Sequence, residues 1–578
     1  MTVTLLKGAC LKNIYPRKPY KICNTVMDKP ASLMDSALDH LEEVGIVVGE
    51  SSPSSFIFSV HPDLNDKVPR WEYVMAPLSR GFVIAQVQGV ATYSSLLKKE
   101  MEYQALTRLT AHIVEECKHW RQARALAYID DINKVSSGYK RVRYAVAPGT
   151  KVYLVPDSIL EKLYSGSGKT LYVGHLVTRA NIKIGLSVNG FRRHVAIIAQ
   201  TGAGKSYLAG VIMEELLQKG GTVIVFDPHA DYVRMTEPNG EWTADLANRV
   251  TVYRVPTSIS RYPSIRNVKN LLICFSDLSL EEIFYAAGIE EKFTNIRRAV
   301  TQAYNNLRDE MEGGNRRSFT PKDLREQLYA ISNDKSKDSQ TRRDAFKAIS
   351  YVSRLERLGI FGDKTTPFSE MFIPQHLSVI DLSGLSDREA DLITYMILRE
   401  IIVKKTQPEE RGFKYPVFLF IEEAHRFIPP DKAGPTWSSP LIKRIAAEGR
   451  KFGIFLILIS QRPSKVHQDV LSQCNSQIIM RITNPVDQRA VLEASEKLGE
   501  ELFDDLPGLD KGEAIVVGDL INMPAIISVR KRRSYEGGAD VNVDELLDEA
   551  LRSAKEEGER KRQAEDDWEK FKRWSEPK

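Results

Sequence analysis

Two different patterns of apolar and polar residues divide the chain near residue 190. In the first part, short runs of strand character such as "WEYVMAPL" and "GFVIAQVQGV" are separated by turn residues. Short strands at this spacing are typical of a small barrel or sandwich. From Phe191 onward, apolar runs alternate with helical periods: "HVAIIA" (194–199), then "SYLAGVIMEELLQ", then "TVIVFD" (222–227). This strand–loop–helix–strand order predicts an α/β architecture with a parallel sheet.

Two charged stretches with helical periodicity interrupt these patterns. The segment 96–132, "LLKKEMEYQALTRLTAHIVEECKHWRQARALAYIDDI", predicts a helix inserted into the barrel. The segment from about 277 to 366 predicts a helical insertion into the α/β part. The sheet pattern then resumes with "HLSVIDL", "PVFLFIEE", "FGIFLILIS" and "SQIIMRI", and a hairpin-like pair, "GEAIVVGD" and "PAIISVRKRR", follows.

These changes of pattern predict six segments. They are a loose N-terminal arm (1–30), a β-barrel domain with a helical insertion (31–175), the first part of the α/β domain (176–276), a helical insertion (277–366), the second part of the α/β domain (367–533) and a charged helical C-terminal tail (534–578).

Composition adds little and excludes some classes of protein. The 578 residues are 42% hydrophobic and 27% charged, with a formal net charge of +5, as in ordinary globular proteins. Five scattered cysteines offer neither a disulfide framework nor a zinc cluster. The most apolar run, "FGIFLILIS", is about half the length of a membrane span. We therefore expect a cytoplasmic protein without a membrane segment.

Two glycine-rich loops carry the letters of a phosphate-binding loop: "LYSGSGKTLYVGH" (163–175) and "AIIAQTGAGKSYLAG" (196–210). Such a loop requires a buried strand before it and a helix that begins at its lysine, because the helix N-terminus faces the anion. Lys205 has this context. Lys169 has the reverse, with a helical pattern before it and a strand after it. We therefore predict one nucleotide site, at Lys205, and an ordinary linker at Lys169.

The second loop predicts where ATP and Mg²⁺ would bind. Lys205 is expected to reach the β- and γ-phosphates, and the Ser206 hydroxyl to ligate Mg²⁺. The phosphates would be wrapped by the loop residues Thr201, Gly202, Ala203 and Gly204. The full motif has glycine where this chain has Ala199, and we expect this small residue to be tolerated.

Hydrolysis also needs an acidic group for Mg²⁺ and a base for the attacking water. The apolar strand in "VFLFIEEAH" ends in two carboxylates, of which Glu422 is expected to bind Mg²⁺ and Glu423 to polarise the water. Gln461 follows the next strand and is expected to sense the γ-phosphate. Asp227 ends another strand and His229 follows two residues later, and either is a candidate for a supporting contact, since parallel strand ends meet at the ligand crevice.

The segment "KRIAAEGRKFG" offers Arg444, Arg450 and Lys451 ahead of the strand that leads to Gln461. An arginine supplied across a subunit boundary can neutralise charge in a phosphoryl-transfer transition state. The alternative for each of these residues is a solvated basic helix end.

With these pieces in place, the sequence resembles the HerA family of hexameric DNA-translocating ATPases, within the group that includes the FtsK translocases. The resemblance extends over about residues 41–533. It rests on "RRHVAIIAQTGAGKS", "VFDPHADY", "FIEEAHRF", "EGRKFG", "SQRPS" and "GEAIVVG" in this order. It implies a RecA-like P-loop ATPase core, an N-terminal small β-barrel, an inserted helical bundle, and a ring that threads double-stranded DNA with nucleotide between subunits.

The resemblance also implies roles for individual residues. Arg450 matches the arginine that acts on a neighbouring subunit's nucleotide, and Arg192 or Arg193 is a weaker candidate for the same reach. The family's acidic pair is usually Asp-Glu, whereas this chain has Glu422 and Glu423. The longer side chain at Glu422 changes where its carboxylate meets the metal, which matters because Mg²⁺ demands nearly ideal octahedral coordination.

The leading hypothesis is an ATP-driven homohexameric motor that translocates duplex DNA. It would work with a separate nuclease (NurA-like) or other effector docked on the barrel, in DNA-end processing or antiviral defence. Lys432 is a candidate for DNA contact in the pore. One alternative is an ATP-stabilised ring scaffold that assembles and regulates an effector, with DNA movement secondary. Another is a secretion or conjugation ATPase of the same superfamily.

Overall fold

The computed structural model describes residues 40–94, 117–130, 140–165, 168–258, 260–408, 410–434, 436–495, 500–538 and 543–575. The predicted N-terminal arm lies outside the described residues. So does the first half of the helix predicted over 96–132.

A closed barrel forms the N-terminal part of the described chain, with strand order β1-β2-β5-β4-β3-β6. Its strands are β1 (Glu43–Val48), β2 (Ser55–Val60), β3 (Tyr73–Pro77), β4 (Phe82–Tyr93), β5 (Lys118–Ile129) and β6 (Lys151–Leu154). All neighbouring strands in the barrel are antiparallel.

The helix predicted over 96–132 is wrong for its second half, because 118–129 form strand β5. This strand pairs with β4 along its whole length and with β2 on its other side. Arg121 lies on the inside of β5, where its guanidinium donates to the Val68 and Asn65 carbonyl oxygens. A charged residue at a buried position hides the two-residue alternation by which a strand is recognised in a sequence.

A twelve-stranded sheet spans the rest of the described chain, in the order β12-β11-β15-β10-β16-β17-β9-β18-β19-β20-β7-β8. From β12 to β18 neighbouring strands are parallel, and from β18 to β8 they are antiparallel. The strands are β7 (Thr170–Leu176), β8 (Lys183–Ser187), β9 (Val195–Ile198), β10 (Thr222–Asp227), β11 (Val250–Arg254), β12 (Val268–Asn270), β15 (His376–Asp381), β16 (Val417–Ile421), β17 (Ile454–Ser460), β18 (Ser476–Ile479), β19 (Glu513–Val517) and β20 (Ala525–Val529), with β13 (Ile273–Cys274) and β14 (Phe361–Gly362) as a separate pair.

The α-helices of the described residues lie between and after these strands. They are α1 (Asp157–Tyr164), α2 (Lys205–Gln218), α3 (Ala244–Asn248), α4 (Leu280–Ala287), α5 (Thr294–Glu312), α6 (Pro321–Asn333), α7 (Ser339–Arg357), α8 (Asp387–Thr406), α9 (Ser438–Glu448), α10 (Gln468–Gln473), α11 (Pro485–Ala494), α12 (Glu500–Phe503) and α13 (Val543–Ser575). None of the described helices combines the length and the apolar character needed to span a membrane.

The parallel part of the sheet is buried on both faces, which explains its continuous apolar runs. Along β10, Val223 and Val225 face a core shared with α2, whereas Ile224 and Phe226 face a core shared with helices α4 to α7. The predicted fold class is confirmed: an α/β P-loop core with an N-terminal barrel and an inserted helical bundle.

Candidate active site

The glycine loop at Lys205 lies at the centre of the parallel sheet. It follows β9, which runs between β17 and β18, and it ends where α2 begins at Lys205. Gly202 and Gly204 have φ values of +79° and +110°, in the region that favours glycine. No side chain caps α2 at its N-terminus, so its first N–H groups face the loop without a side-chain acceptor. The loop therefore has the geometry of an anion-binding site.

Ala199, the departure from the glycine motif, is fully buried at the end of β9. Its N–H donates to the Ser460 carbonyl oxygen at 3.3 Å, and its φ is not positive. The backbone here therefore does not require glycine. Within the loop, Ala203 is buried, whereas Thr201 and Gly202 are exposed and Ser206 is half-buried.

Lys169 is exposed and stands between helix α1 and strand β7. No helix of the described chain begins at this residue. The structural context predicted for the two lysines is confirmed, and Lys169 has no helix N-terminus with which to bind a phosphate.

The two carboxylates directly after β16 are buried, with Glu422 0% and Glu423 3% exposed. The Lys205 ammonium donates to Glu422 Oε2 at 2.6 Å and to Glu423 Oε1 at 3.2 Å. Burial acts to lower the pKa of Lys205, but the two carboxylates outweigh it and raise this pKa above its ordinary value. The lysine is therefore charged and is held between the two carboxylates.

Gln461 connects the acidic pair with the glycine loop. It follows β17, and its side-chain amide donates to Glu423 Oε1 at 2.6 Å. Its amide oxygen accepts from the Thr201 hydroxyl at 2.6 Å. The ends of three neighbouring strands, β9, β16 and β17, thus bring the predicted loop, acidic pair and sensor residue into one network.

Asp227, at the end of β10, is linked to this network through Tyr232, whose N–H donates to Asp227 and whose hydroxyl donates to Glu422. Its carboxylate accepts from the backbone N–H groups of Asp231 and Tyr232 at 3.0 and 2.9 Å. Burial and the neighbouring carboxylates of Asp231 and Asp381 raise the pKa of Asp227 well above its ordinary value. Asp227 therefore shapes the turn after β10.

Two residues of the site were not singled out in the sequence. The Tyr232 hydroxyl donates to Glu422 Oε1, so that Glu422 is held by Lys205 on one oxygen and by Tyr232 on the other. His425 Nδ1 lies 3.3 Å from Glu423 Oε2 but is not aligned for a hydrogen bond, and burial lowers the pKa of this histidine. Tyr232 lies in the motif "DPHADY" and His425 in the motif "EEAH". Their place in these motifs is the only feature of the sequence that points to them.

The remaining candidates lie at the edge of the site or away from it. His229 is half-exposed, with Nε2 4.0 Å from Glu423 Oε1. Arg450 is exposed in the turn Gly449–Phe452 after α9. Arg192 and Arg193 are also exposed, and Arg193 lies 3.5 Å from Asp519. None of these arginines contacts Glu422 or Glu423 through an ion pair in the described residues.

Comparisons with known proteins show which family this chain resembles. Residues 171–401 match the family model described as "Helicase HerA, central domain". The DNA double-strand break repair helicase HerA of Pyrococcus furiosus is 31% identical over 555 residues, covering 86% of this chain and 94% of that relative. The protein of the same name from Sulfolobus acidocaldarius is 28% identical over 523 residues, covering 89% and 97%.

Among solved structures, the bacterial conjugative coupling protein TrwB has a TM-score of 0.44 and 13% identity, covering 66% of this chain and 95% of that one. The family follows from the sequence relatives, whose match extends over nearly their whole length. This chain therefore belongs to the HerA helicase family, and it is an ATP hydrolase of the P-loop class.

Proposed function

We propose that this protein is an ATP-driven motor that translocates double-stranded DNA through a ring of identical chains. The observation that carries the proposal is the Lys205–Glu422–Glu423–Gln461 network at the mouth of a glycine loop. It contains the cation, the acidic pair and the polar side chain that phosphoryl transfer from ATP to water requires. The relatives supply the substrate class, because they are named DNA double-strand break repair helicases.

The mechanism begins with a transfer of Lys205 from the carboxylates to the phosphates. An incoming triphosphate offers the ammonium a new anionic partner, and the free N–H groups at the start of α2 bind the same phosphates. Once Lys205 has moved, Glu423 is free to accept a proton from the attacking water. Gln461, already bonded to both Glu423 and Thr201, is placed to orient that water and to respond to the γ-phosphate.

The residues present fit Mg²⁺. Ser206 offers a hydroxyl and Glu422 a carboxylate, and Mg²⁺ prefers oxygen ligands from one or two protein groups together with substrate phosphates. When bound, the ion neutralises charge on the phosphates. Tyr232 holds one oxygen of Glu422 in place and thereby limits the freedom of its long side chain.

A ring completes the site. Arg450 is exposed and does not contact the acidic pair of its own chain, so we propose that it reaches the nucleotide of a neighbouring subunit. The barrel is proposed as the docking site for a separate nuclease or effector, and Lys432, exposed in the loop after the acidic strand, as a pore contact to DNA.

The substitution Glu423→Gln tests the proposal. It keeps the size and one hydrogen-bond acceptor of the side chain but removes the base. We expect ATP hydrolysis, with and without linear duplex, to fall by at least ~100-fold while binding of ATP is retained. Hydrolysis at the normal rate in this variant would refute Glu423 as the base. Wild-type hydrolysis that does not respond to duplex DNA would instead favour the ring scaffold.

A further inference from the structure

One face of helix α7 in the helical insertion carries only basic and neutral side chains. The helix buries one side against the insertion, through Ala345, Ala348, Ile349, Val352 and Leu355. The opposite side presents Arg343, Lys347, Arg354 and Arg357, all exposed. At 100° per residue these four positions fall within about 80° of one another, and at 1.5 Å per residue they span about 21 Å. We name these four residues the α7 basic face.

The charges of the α7 basic face are not neutralised by neighbouring carboxylates. None of its four members takes part in an ion pair within the described residues. The acidic residues of the same region point elsewhere: Asp338 caps the start of α7, Asp344 is buried and accepts from Gln340, and Glu356 pairs with Arg325 at 2.9 Å. In a chain with 81 basic and 76 acidic residues, four cations in one row without a carboxylate partner are a local departure from the average.

The neutral positions on this face also suit contact with a partner. Ser350 lies between the two pairs of cations, and Phe346 is 66% exposed beside Lys347. The insertion is joined to the motor core, because Glu282 of α4 pairs with Arg399 of α8 at 2.8 Å. A ligand on α7 would therefore be held on the same body as the nucleotide site.

We propose that the α7 basic face is a second contact of this protein with the sugar–phosphate backbone of duplex DNA, distinct from the pore. The inference rests on the proposed DNA-translocating function. Phosphates of each strand rise by about 3.4 Å per step along the duplex axis, so a row of cations about 21 Å long extends over about six base-pair steps and can contact the phosphates that face it. Such a contact positions DNA without reading its sequence, because arginines and lysines in a row meet phosphates and not base edges.

The salt dependence of DNA binding tests the proposal. Each phosphate contact contributes about −0.9 to the slope of log K against log salt concentration. The quadruple variant Arg343→Gln, Lys347→Gln, Arg354→Gln, Arg357→Gln removes up to four contacts per chain. We expect the slope for this variant to be smaller in magnitude by about 2 to 4 for each chain that contacts the duplex. The slope is measured by fluorescence anisotropy with a labelled linear duplex and a non-hydrolysable ATP analogue.

The matched control removes the same charge from scattered sites. Lys162, Lys169, Lys219 and Arg266 are exposed, lie on separate elements and are replaced by Gln. This control should keep the wild-type slope, and both quadruple variants should keep the wild-type ATP hydrolysis measured without DNA. If wild type binds duplex and the α7 variant has the same salt-dependence slope as the control, the proposal is overturned. An acidic protein partner would then be the better candidate for the α7 basic face. If wild type itself does not bind duplex, the proposed function fails first.

Discussion

Removal of the Lys205 ammonium should destabilise this protein as well as stop catalysis. Lys205 is 6% exposed, and its ammonium contacts the two buried carboxylates. The substitution Lys205→Ala leaves Glu422 and Glu423 buried, close together and without that cation. Breaking a buried ion pair by removing one partner costs about 3–5 kcal/mol.

The hydrogen bonds that remain to the two carboxylates limit the size of the effect. Glu422 keeps its hydrogen bond from Tyr232, and Glu423 keeps that from Gln461, which holds the loss within the range for a single pair. The loss remains large because the variant leaves two buried carboxylates close together with no ammonium between them.

Thermal unfolding measured at pH 8 without nucleotide is the assay. With about 2–4 °C per kcal/mol for a domain of this size class, a loss of 3–5 kcal/mol lowers the midpoint by roughly 6–20 °C at pH 8. Lys169→Ala, at an exposed position, is the control and should stay within about 1 °C. It should also hydrolyse ATP at the wild-type rate, unlike Lys205→Ala. A midpoint for Lys205→Ala within about 2 °C of wild type at pH 8 would refute the reasoning.

Three further predictions concern residues other than Lys205. Tyr232→Phe removes the hydrogen bond to Glu422. Loss of a contact that orients a metal ligand typically lowers metal affinity by about 10–100-fold, so the Mg²⁺ concentration needed for tight ADP binding should rise at least about tenfold. Titrations with a fluorescent ADP would measure this change. Burial lowers the pKa of Lys405 to about 8, so the unfolded chain binds more protons above that pH. The unfolding midpoint of wild type should therefore rise relative to that of Lys405→Met as the pH increases from about 8 to 10. A difference between the two midpoints that stays constant over this range would contradict the lowered pKa of Lys405. Finally, Arg450→Ala and Glu423→Gln chains should each be inactive alone. Their equimolar mixture should recover about a quarter of wild-type hydrolysis, because about a quarter of the interfaces then join an intact Glu423 to an intact Arg450 of the neighbouring chain. No recovery would place Arg450 in its own chain's site.

The parts of the fold that the sequence predicts are those in which local pattern and burial agree. Strand β10 lies at 222–227, the same range that the apolar run predicts, because every residue of a central parallel strand is buried. The glycine loop was recognised for a related reason. Its strand and helix are contiguous in the chain, so that the context of Lys205 can be distinguished from that of Lys169 without knowledge of the sheet order.

The parts that it misses depend on contacts between distant segments. Strand β5 contains a buried charged residue, Arg121, whose contacts with Val68 and Asn65 join residues more than fifty positions apart in the chain. The contact between Tyr232 and Glu422 joins residues 190 positions apart. It exists because β10 and β16 are neighbours in the sheet although five strands separate them in the chain. The order of strands in the sheet decides such contacts, and the local periodicity of the sequence gives no information about that order.

The charge balance of the site explains why a ring would be needed. Within the described chain, one ammonium stands against two buried carboxylates, and arginines do not contact either carboxylate. ATP adds several negative charges to this already acidic centre, and the transition state spreads charge over the transferred phosphoryl group. Lys205 alone does not neutralise both sets of anions. On the proposed assignment, the missing cations are Mg²⁺ at Ser206 and Glu422, and Arg450 from the next subunit. Hydrolysis then depends on how two neighbouring chains meet, which is the coupling that a ring-shaped motor requires.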